Sequence, residues 1–180
     1  MESDVSPLLT DLYQLTMLQA YLDAGMKEVA VFEMFVRKLP STWNFFIAAG
    51  LDDVISYLEG LWFSKKELEW LASQGFSPTL IRYLEQFRFS GDVDALPEGT
   101  IFFPTEPFLR VIAPLPQAQL VESRIINLLQ FQTLIASKAA RCVIVAPNKL
   151  LVEFGMRRAQ GAVSQVDTGH RELGHRLDCP

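Results

Sequence analysis

Histidine and cysteine are scarce in this chain of 180 residues, with two of each. Cys142 and Cys179 make no disulfide framework and share no metal-type spacing. So few thiols are the usual mark of a reduced, cytoplasmic compartment, which is the expected location. His170 and His175 both fall in the last stretch of the chain. No Ser-His-Asp set, metal triad or glycine-rich phosphate loop can be assembled from the sequence. An acidic pair framed by apolar residues, a common pyrophosphate-binding device, is also missing. Basic residues are in the minority: 16 Lys and Arg against 21 Asp and Glu give a net charge of −5. That balance argues against a general nucleic-acid binder, which carries a basic stripe. Unbroken apolar runs are short. The longest, such as Phe45–Leu51, fall far below the roughly 20 residues of a bilayer span, so no membrane role is expected. Met1–Pro7 is polar and acidic, unlike a secretory leader.

What the chain does have is apolar content, at 49% of residues, enough to bury a core of one domain or a little more. Leu8–Ala24 reads as an amphipathic helix on Leu8, Leu12, Leu15 and Leu22, closed by Gly25. Val29–Val36 is β-branched and aromatic and reads as a buried strand, with Glu33 the exception. Asp52–Glu59 is a short helix. Ser64-Lys65-Lys66-Glu67 is a capping box opening the next. Ser77-Pro78 starts a third, with Leu80, Leu84 and Phe87 on its apolar face. From Arg88 to Ala113 the pattern is strand and turn, with Ile101–Phe103 and Phe108–Ala113 the best strands. The acidic residues from Asp92 to Glu98 read as turns. Gln117–Arg141 is the longest helical pattern, about 24 residues and roughly 36 Å at 1.5 Å per residue. It reads as the link into a following domain. Lys149–Phe154 is expected to be a short strand. Val163–Pro180 has neither helical nor strand period and is expected to be disordered. The fold class is α/β.

Few residues suggest chemistry. Phe154-Gly155-Met156-Arg157-Arg158 places an aromatic at a strand end with two forked donors beyond it. That set suits a flat aromatic acid or a sugar phosphate. It equally describes a core phenylalanine beside two solvated arginines, the commoner meaning of so short a pattern. Thr10-Asp11-Leu12-Tyr13-Gln14 is polar and aromatic at the start of an apolar helix. A helix cap and a boundary tyrosine account for it as well as a ligand does. Arg37-Lys38 at a strand end could meet phosphates or solvent.

Five blocks, taken together, carry more. Leu8-Leu9-Thr10-Asp11-Leu12-Tyr13-Gln14-Leu15-Thr16-Met17 resembles the opening of nicotinate phosphoribosyltransferases. Phe35-Val36-Arg37-Lys38-Leu39-Pro40 and Glu106-Pro107-Phe108-Leu109-Arg110-Val111 are similar to later blocks of the family, as are the runs from Gln132 to Arg141 and from Glu153 to Gly161. They occur in the family's order and span about residues 7–162. The wording fits the nicotinate enzyme better than its nicotinamide sister.

The resemblance implies an N-terminal α/β sandwich-like domain (1–142, with the long helix) followed by the start of an irregular α/β barrel (143–162). It implies a homodimer with sites at the subunit interface. The implied reaction joins nicotinate to phosphoribosyl pyrophosphate and gives nicotinate mononucleotide and pyrophosphate, in NAD salvage. ATP hydrolysis through a phosphorylated histidine and a need for magnesium come with it. Tyr13 would stack on the pyridine ring, Phe154 would form the opposite face, Arg157 would contact the substrates near the ring, and Arg37 would sit by the phosphates. Residues 163–180 depart from the family, and neither His170 nor His175 matches its histidine motif. The barrel is therefore expected to be incomplete and the chain inactive alone, or a non-catalytic isoform that at most dimerises with full-length subunits.

Overall fold

A computed structural model describes residues 6–147 and 149–152. The expectations for Phe154, Arg157 and the segment 163–180 lie outside them. The described chain gathers into two compact units. The first takes the described residues within Met1–Met34, Asp52–Asp94 and Leu109–Asn127. The second takes those within Phe35–Leu51, Ala95–Phe108 and from Leu128 onward.

In the first unit, helix α1 spans Leu12–Asp23. It begins later than its apolar spacing suggests. Ser6 forms a local turn, its carbonyl accepting from the amide of Leu9 at 3.0 Å and its hydroxyl from that of Leu8 at 3.2 Å. The buried face is Gln14, Leu15 and Leu18, and Leu12 is exposed. An amide thus replaces a leucine on the inner face, and its hydrogen bonds explain why. Gly25, at φ +68°, takes the left-handed turn that follows the helix.

Strand β1 (Val29–Phe35) corrects the expectation of burial. Its residues alternate, with Val29, Val31 and Phe35 at 69%, 57% and 46% exposure. The cause is topological. β1 is an edge of a three-stranded sheet ordered β1-β5-β3, in which β5 (Pro107–Pro114) is central and more deeply buried. Glu33 accepts from Arg110 of β5 at 2.7 Å across the open face. An exposed pair of this kind contributes at most about 1 kcal/mol. β3 (Asp92–Ala95) is a strand where the acidic residues suggested turns. Its two aspartates point outward and its two apolar residues are half-buried, a two-residue period too short to stand out in sequence. Gly91 precedes it because nothing larger fits: a Cβ there would lie 2.5 Å from Ala113 Cβ and 2.6 Å from the carbonyl oxygen of Ile112.

Helix α2 runs Leu51–Glu59. α3 (Lys65–Ser73) opens on the expected capping box: the Ser64 hydroxyl accepts from the Glu67 amide, and the Glu67 carboxylate accepts from the Ser64 amide at 2.8 Å. α4 (Pro78–Glu85) has proline in its first turn and Ser77 as cap. Leu80, Leu84 and Phe87 are buried as the spacing predicts.

Burial by itself would raise the Glu67 carboxyl, but hydrogen bonds from the Ser6 hydroxyl and from the hydroxyl and amide of Ser64 outweigh it and hold the group below its ordinary 4.5. A depressed carboxyl contributes stability that is present above the unfolded-state value and is lost as pH falls through the folded one. Urea midpoints should therefore drop from pH 6 to pH 3 by more in the unaltered chain than in Glu67→Gln. Parallel pH curves for the two proteins would remove Glu67 from the acid response.

The second unit contains a two-stranded antiparallel ladder. β2 (Phe46–Ile47) pairs with β4 (Ile101–Phe102), Phe46 opposite Phe102 and Ile47 opposite Ile101. β2 was not foreseen, since two residues carry no period. An aromatic file runs Trp43, Phe46, Phe102, Phe108, with successive ring centroids 5.6, 5.5 and 4.5 Å apart.

α5 (Leu115–Val145) is longer than expected. Its first part lies in the first unit and its remainder in the second. Leu120, Val121, Ile125 and Leu129 are buried as read. Beyond them the inner face becomes Gln132, Thr133, Ala136, Ser137 and Ala140, while Leu134 is exposed. Among the described residues it is the one helix long and apolar enough to cross a membrane by length and composition, a test that core helices also pass. The described Lys149–Val152 form no strand, which corrects the expectation over those residues; Glu153 and Phe154 lie outside the described residues.

Candidate functional site

The polar start of α1 is organised by α5, within the first unit. Gln14 is fully buried. Its Nε2 lies 2.9 Å from Glu122 Oε2, 3.0 Å from Ser123 Oγ and 3.1 Å from the Tyr13 hydroxyl. Two amide hydrogens serve these three acceptors, so one is shared. Its Oε1 accepts from Nε2 of Gln119, itself buried. Ser123 donates to Asp11 Oδ2 at 2.7 Å. Gln119, Glu122 and Ser123 stand three and four residues apart, on one side of α5. Asp11 precedes α1 as its cap residue, but its side chain makes no capping bond; it serves the cluster instead. Thr10 Oγ1 is buried without a partner among the described residues.

Tyr13 stands at the rim of this network. The residue is 48% exposed, while its hydroxyl is 3.2 Å from Ser123 Oγ. A tyrosine tethered by its oxygen has a restricted ring plane and a free face. Such a ring can stack on a flat ligand at small entropic cost. The tether also occupies the phenol oxygen, which suits the ring to holding a ligand more than to proton transfer.

Arg37 falls in the second unit, just past β1, and is exposed, as is Lys38. In the same unit α5 presents Thr133, Ser137 and Arg141 at successive turns to the backbone of 45–49. Thr133 donates to the Ala49 carbonyl at 3.2 Å, Ser137 accepts from the Ile47 amide at 2.8 Å, and Arg141 donates to the Phe45 carbonyl at 2.6 Å. The Glu98 carboxylate accepts from the amides of Gly50 and Leu51 at 2.8 and 2.6 Å. Gly50, at φ +104°, is fixed by conformation and by Gln132, whose side chain lies 3.2 Å from where a Cβ would be. Burial lowers the proton affinity of Arg141 from its high ordinary value, and a guanidinium stays charged at any working pH.

Of the residues read from the sequence, Tyr13 and Arg37 are thus described, and Phe154 and Arg157 are not. Gln119 and Glu122 were missed as partners of Gln14, and Ser123 as a partner of both Gln14 and Tyr13. Their three-and-four spacing inside an apolar helix was the available signal.

Comparison with known proteins gives the class of fold first. The chain superposes on the crystal structure of human nicotinic acid phosphoribosyltransferase with a TM-score of 0.82 and 36% identity, over 91% of this chain and 34% of that one. A nicotinate-nucleotide pyrophosphorylase from Pyrococcus furiosus, at TM-score 0.72 and 22% identity over 96% of this chain and 37% of that one, shares the fold. The mixed α/β architecture is therefore that of an N-terminal portion of such enzymes. Residues 8–130 match the family model of the nicotinate phosphoribosyltransferase N-terminal domain, and the chain belongs to that family. A nicotinate phosphoribosyltransferase of Mycobacterium tuberculosis is 48% identical over 158 residues, 87% of this chain and 34% of the relative. The human enzyme is 40% identical over 161 residues, covering 86% and 30%. The chain spans about a third of the length of the curated relatives it matches.

Proposed function

We propose that this chain forms the N-terminal part of an enzyme that joins nicotinate to phosphoribosyl pyrophosphate, releasing nicotinate mononucleotide and pyrophosphate. The observation that carries the reading is Tyr13, an exposed ring tethered at its hydroxyl, inside the segment matched by the family model. In the reaction the pyridine nitrogen bonds to the anomeric carbon as pyrophosphate leaves. The chain's part is to hold reactants in line, and positioning of this kind supplies much of a barrier reduction. Tyr13 takes one face of the pyridine ring and Phe154 the other, Arg157 contacts the substrates, and Arg37 meets phosphate oxygens. Tyr13 and Arg37 serve the partner's site in a homodimer.

ATP and magnesium enter the proposal as co-reactants of the whole protein. Among the described residues no group of three or more His, Cys, Asp or Glu that could hold a metal ion comes together, and no residue of this chain is assigned to magnesium. Cytoplasmic residence belongs to the same proposal, supported by the free, exposed thiol of Cys142. We further propose that the 180 residues do not turn over alone, because the relatives use about three times this length.

The test is a hybrid in which residues 7–162 replace the matching segment of the Mycobacterium tuberculosis relative. With nicotinate, phosphoribosyl pyrophosphate, ATP and magnesium, the hybrid should form nicotinate mononucleotide, and the 180-residue chain should form none. A well-folded hybrid without activity, or turnover by the short chain, would contradict the proposal.

A further inference from the structure

The segment that carries Arg37 and Lys38 joins β1 to β2, and both of its ends are pinned within the second unit. At the first end the amide of Thr105 donates to the Val36 carbonyl at 2.8 Å. Thr105 has φ +67°, a left-handed conformation rare for a β-branched residue. Strain of that kind persists only where the surroundings over-determine it. Thr105 also donates through Oγ1 to the carbonyl of Pro104 at 2.6 Å. At the second end the amide of Trp43 closes a turn onto the Pro40 carbonyl at 2.9 Å. The Arg141 guanidinium then lies 4.1 Å from the Trp43 ring centroid and 4.4 Å from that of Phe45. The same group donates to the Phe45 carbonyl at 2.6 Å and to the Ser137 carbonyl at 2.5 Å. A planar guanidinium lies flat on a ring while the donors at its edge reach two carbonyls, a geometry the compact ammonium does not reproduce.

We infer that Arg141 is a positioning residue: with the Thr105 amide at the other end, it holds the 37–42 segment so that Arg37 and Lys38 meet an anionic phosphate group from a fixed place. This rests on reading Arg37 as a phosphate contact. Arg141 touches no substrate in the arrangement; it acts through Trp43 and Phe45. A pinned segment is already ordered when the anion arrives, so less of the binding free energy goes into fixing the chain.

Trypsin provides the test on the folded 180-residue chain, since Lys38 and the control site Lys27 are both exposed. Arg141→Lys should speed cleavage after Lys38 about tenfold while cleavage after Lys27 changes less than twofold. Trp43→Leu should act likewise, and Trp43→Phe, which keeps a ring, should stay near the unaltered chain. If Arg141→Lys and Trp43→Leu raise cleavage at both lysines equally, or at neither, the positioning role is overturned. A second arm uses phosphoribosyl pyrophosphate as the probe on the hybrid enzyme, which has the full length of the relative. It should slow cleavage after Lys38 in the unaltered hybrid, and not in its Arg37→Ala variant. Lack of protection in the unaltered hybrid would overturn the phosphate reading of Arg37, whereas the cleavage ratio alone decides whether Arg141 pins the segment.

Discussion

Replacing Gln14 by glutamate is expected to cost about 3–5 kcal/mol of stability at pH 7, the range for an uncompensated buried charge. Gln14 has no exposed surface. Its Nε2 sits 2.9 Å from a Glu122 carboxylate oxygen, so the substitution sets one carboxylate against another in a dry place and removes the donor both Glu122 and Ser123 use. The shape of the side chain hardly changes, which isolates the electrostatic effect from packing. For a chain of this size the fall in thermal midpoint is on the order of 10 °C. A buried carboxyl facing another takes up a proton readily, so part of the loss should return at pH 5. Differential scanning calorimetry at the two pH values checks both statements. A midpoint within 2 °C of the unaltered protein at pH 7 would mean that Gln14 is not enclosed as described.

Tyr13→Ala in the hybrid enzyme is expected to raise the KM for nicotinate about fivefold to 150-fold, from ~1–3 kcal/mol for an aromatic face stacked on a flat heterocycle. The KM for phosphoribosyl pyrophosphate should move much less. Half of the Tyr13 surface is open, so the loss of the ring should lower the thermal midpoint only slightly. Tyr13→Phe keeps the ring and gives up only the contact with Ser123 and the hydrogen bond from Gln14. It should lie between the unaltered enzyme and Tyr13→Ala, because a freed ring samples more orientations. Equal effects on both substrates would assign Tyr13 to general structure.

Local signals were legible in the sequence, and distant ones were not. The Ser64–Glu67 capping box, the proline start of α4 and the inward Leu80, Leu84 and Phe87 depend on residues a turn or two apart. β2 and β3 are two and four residues long, and what makes them strands is a partner outside their own segment, β4 for the one and β5 for the other. The burial of Gln14 is the clearest case. Its amide is worth burying only because Gln119 and Glu122, more than a hundred residues on, complete it, and no periodicity in α1 records that. The same holds for β1, whose apolar residues signalled a strand correctly, while its edge position decided which of them are covered. The second half of α5 inverts the usual rule, with Thr133 and Ser137 inside and Leu134 outside, because the backbone of 45–49 supplies their partners. For the site, the resemblance named Tyr13 and Arg37; composition and spacing by themselves left them as a boundary tyrosine and a solvated arginine.

The measurement closest to the central claim mixes two hybrids that are each impaired at low nicotinate, one carrying Tyr13→Ala and the other Phe154→Ala. If Tyr13 completes the nicotinate site of the neighbouring subunit, the mixed dimer contains one site with both rings intact and one with neither. Exchange of subunits should then restore up to about a quarter of the unaltered activity, since half of the dimers are mixed and each has one good site. No recovery after demonstrated exchange would contradict the account, because it would mean that both rings serve one subunit's own site or that Tyr13 meets no substrate.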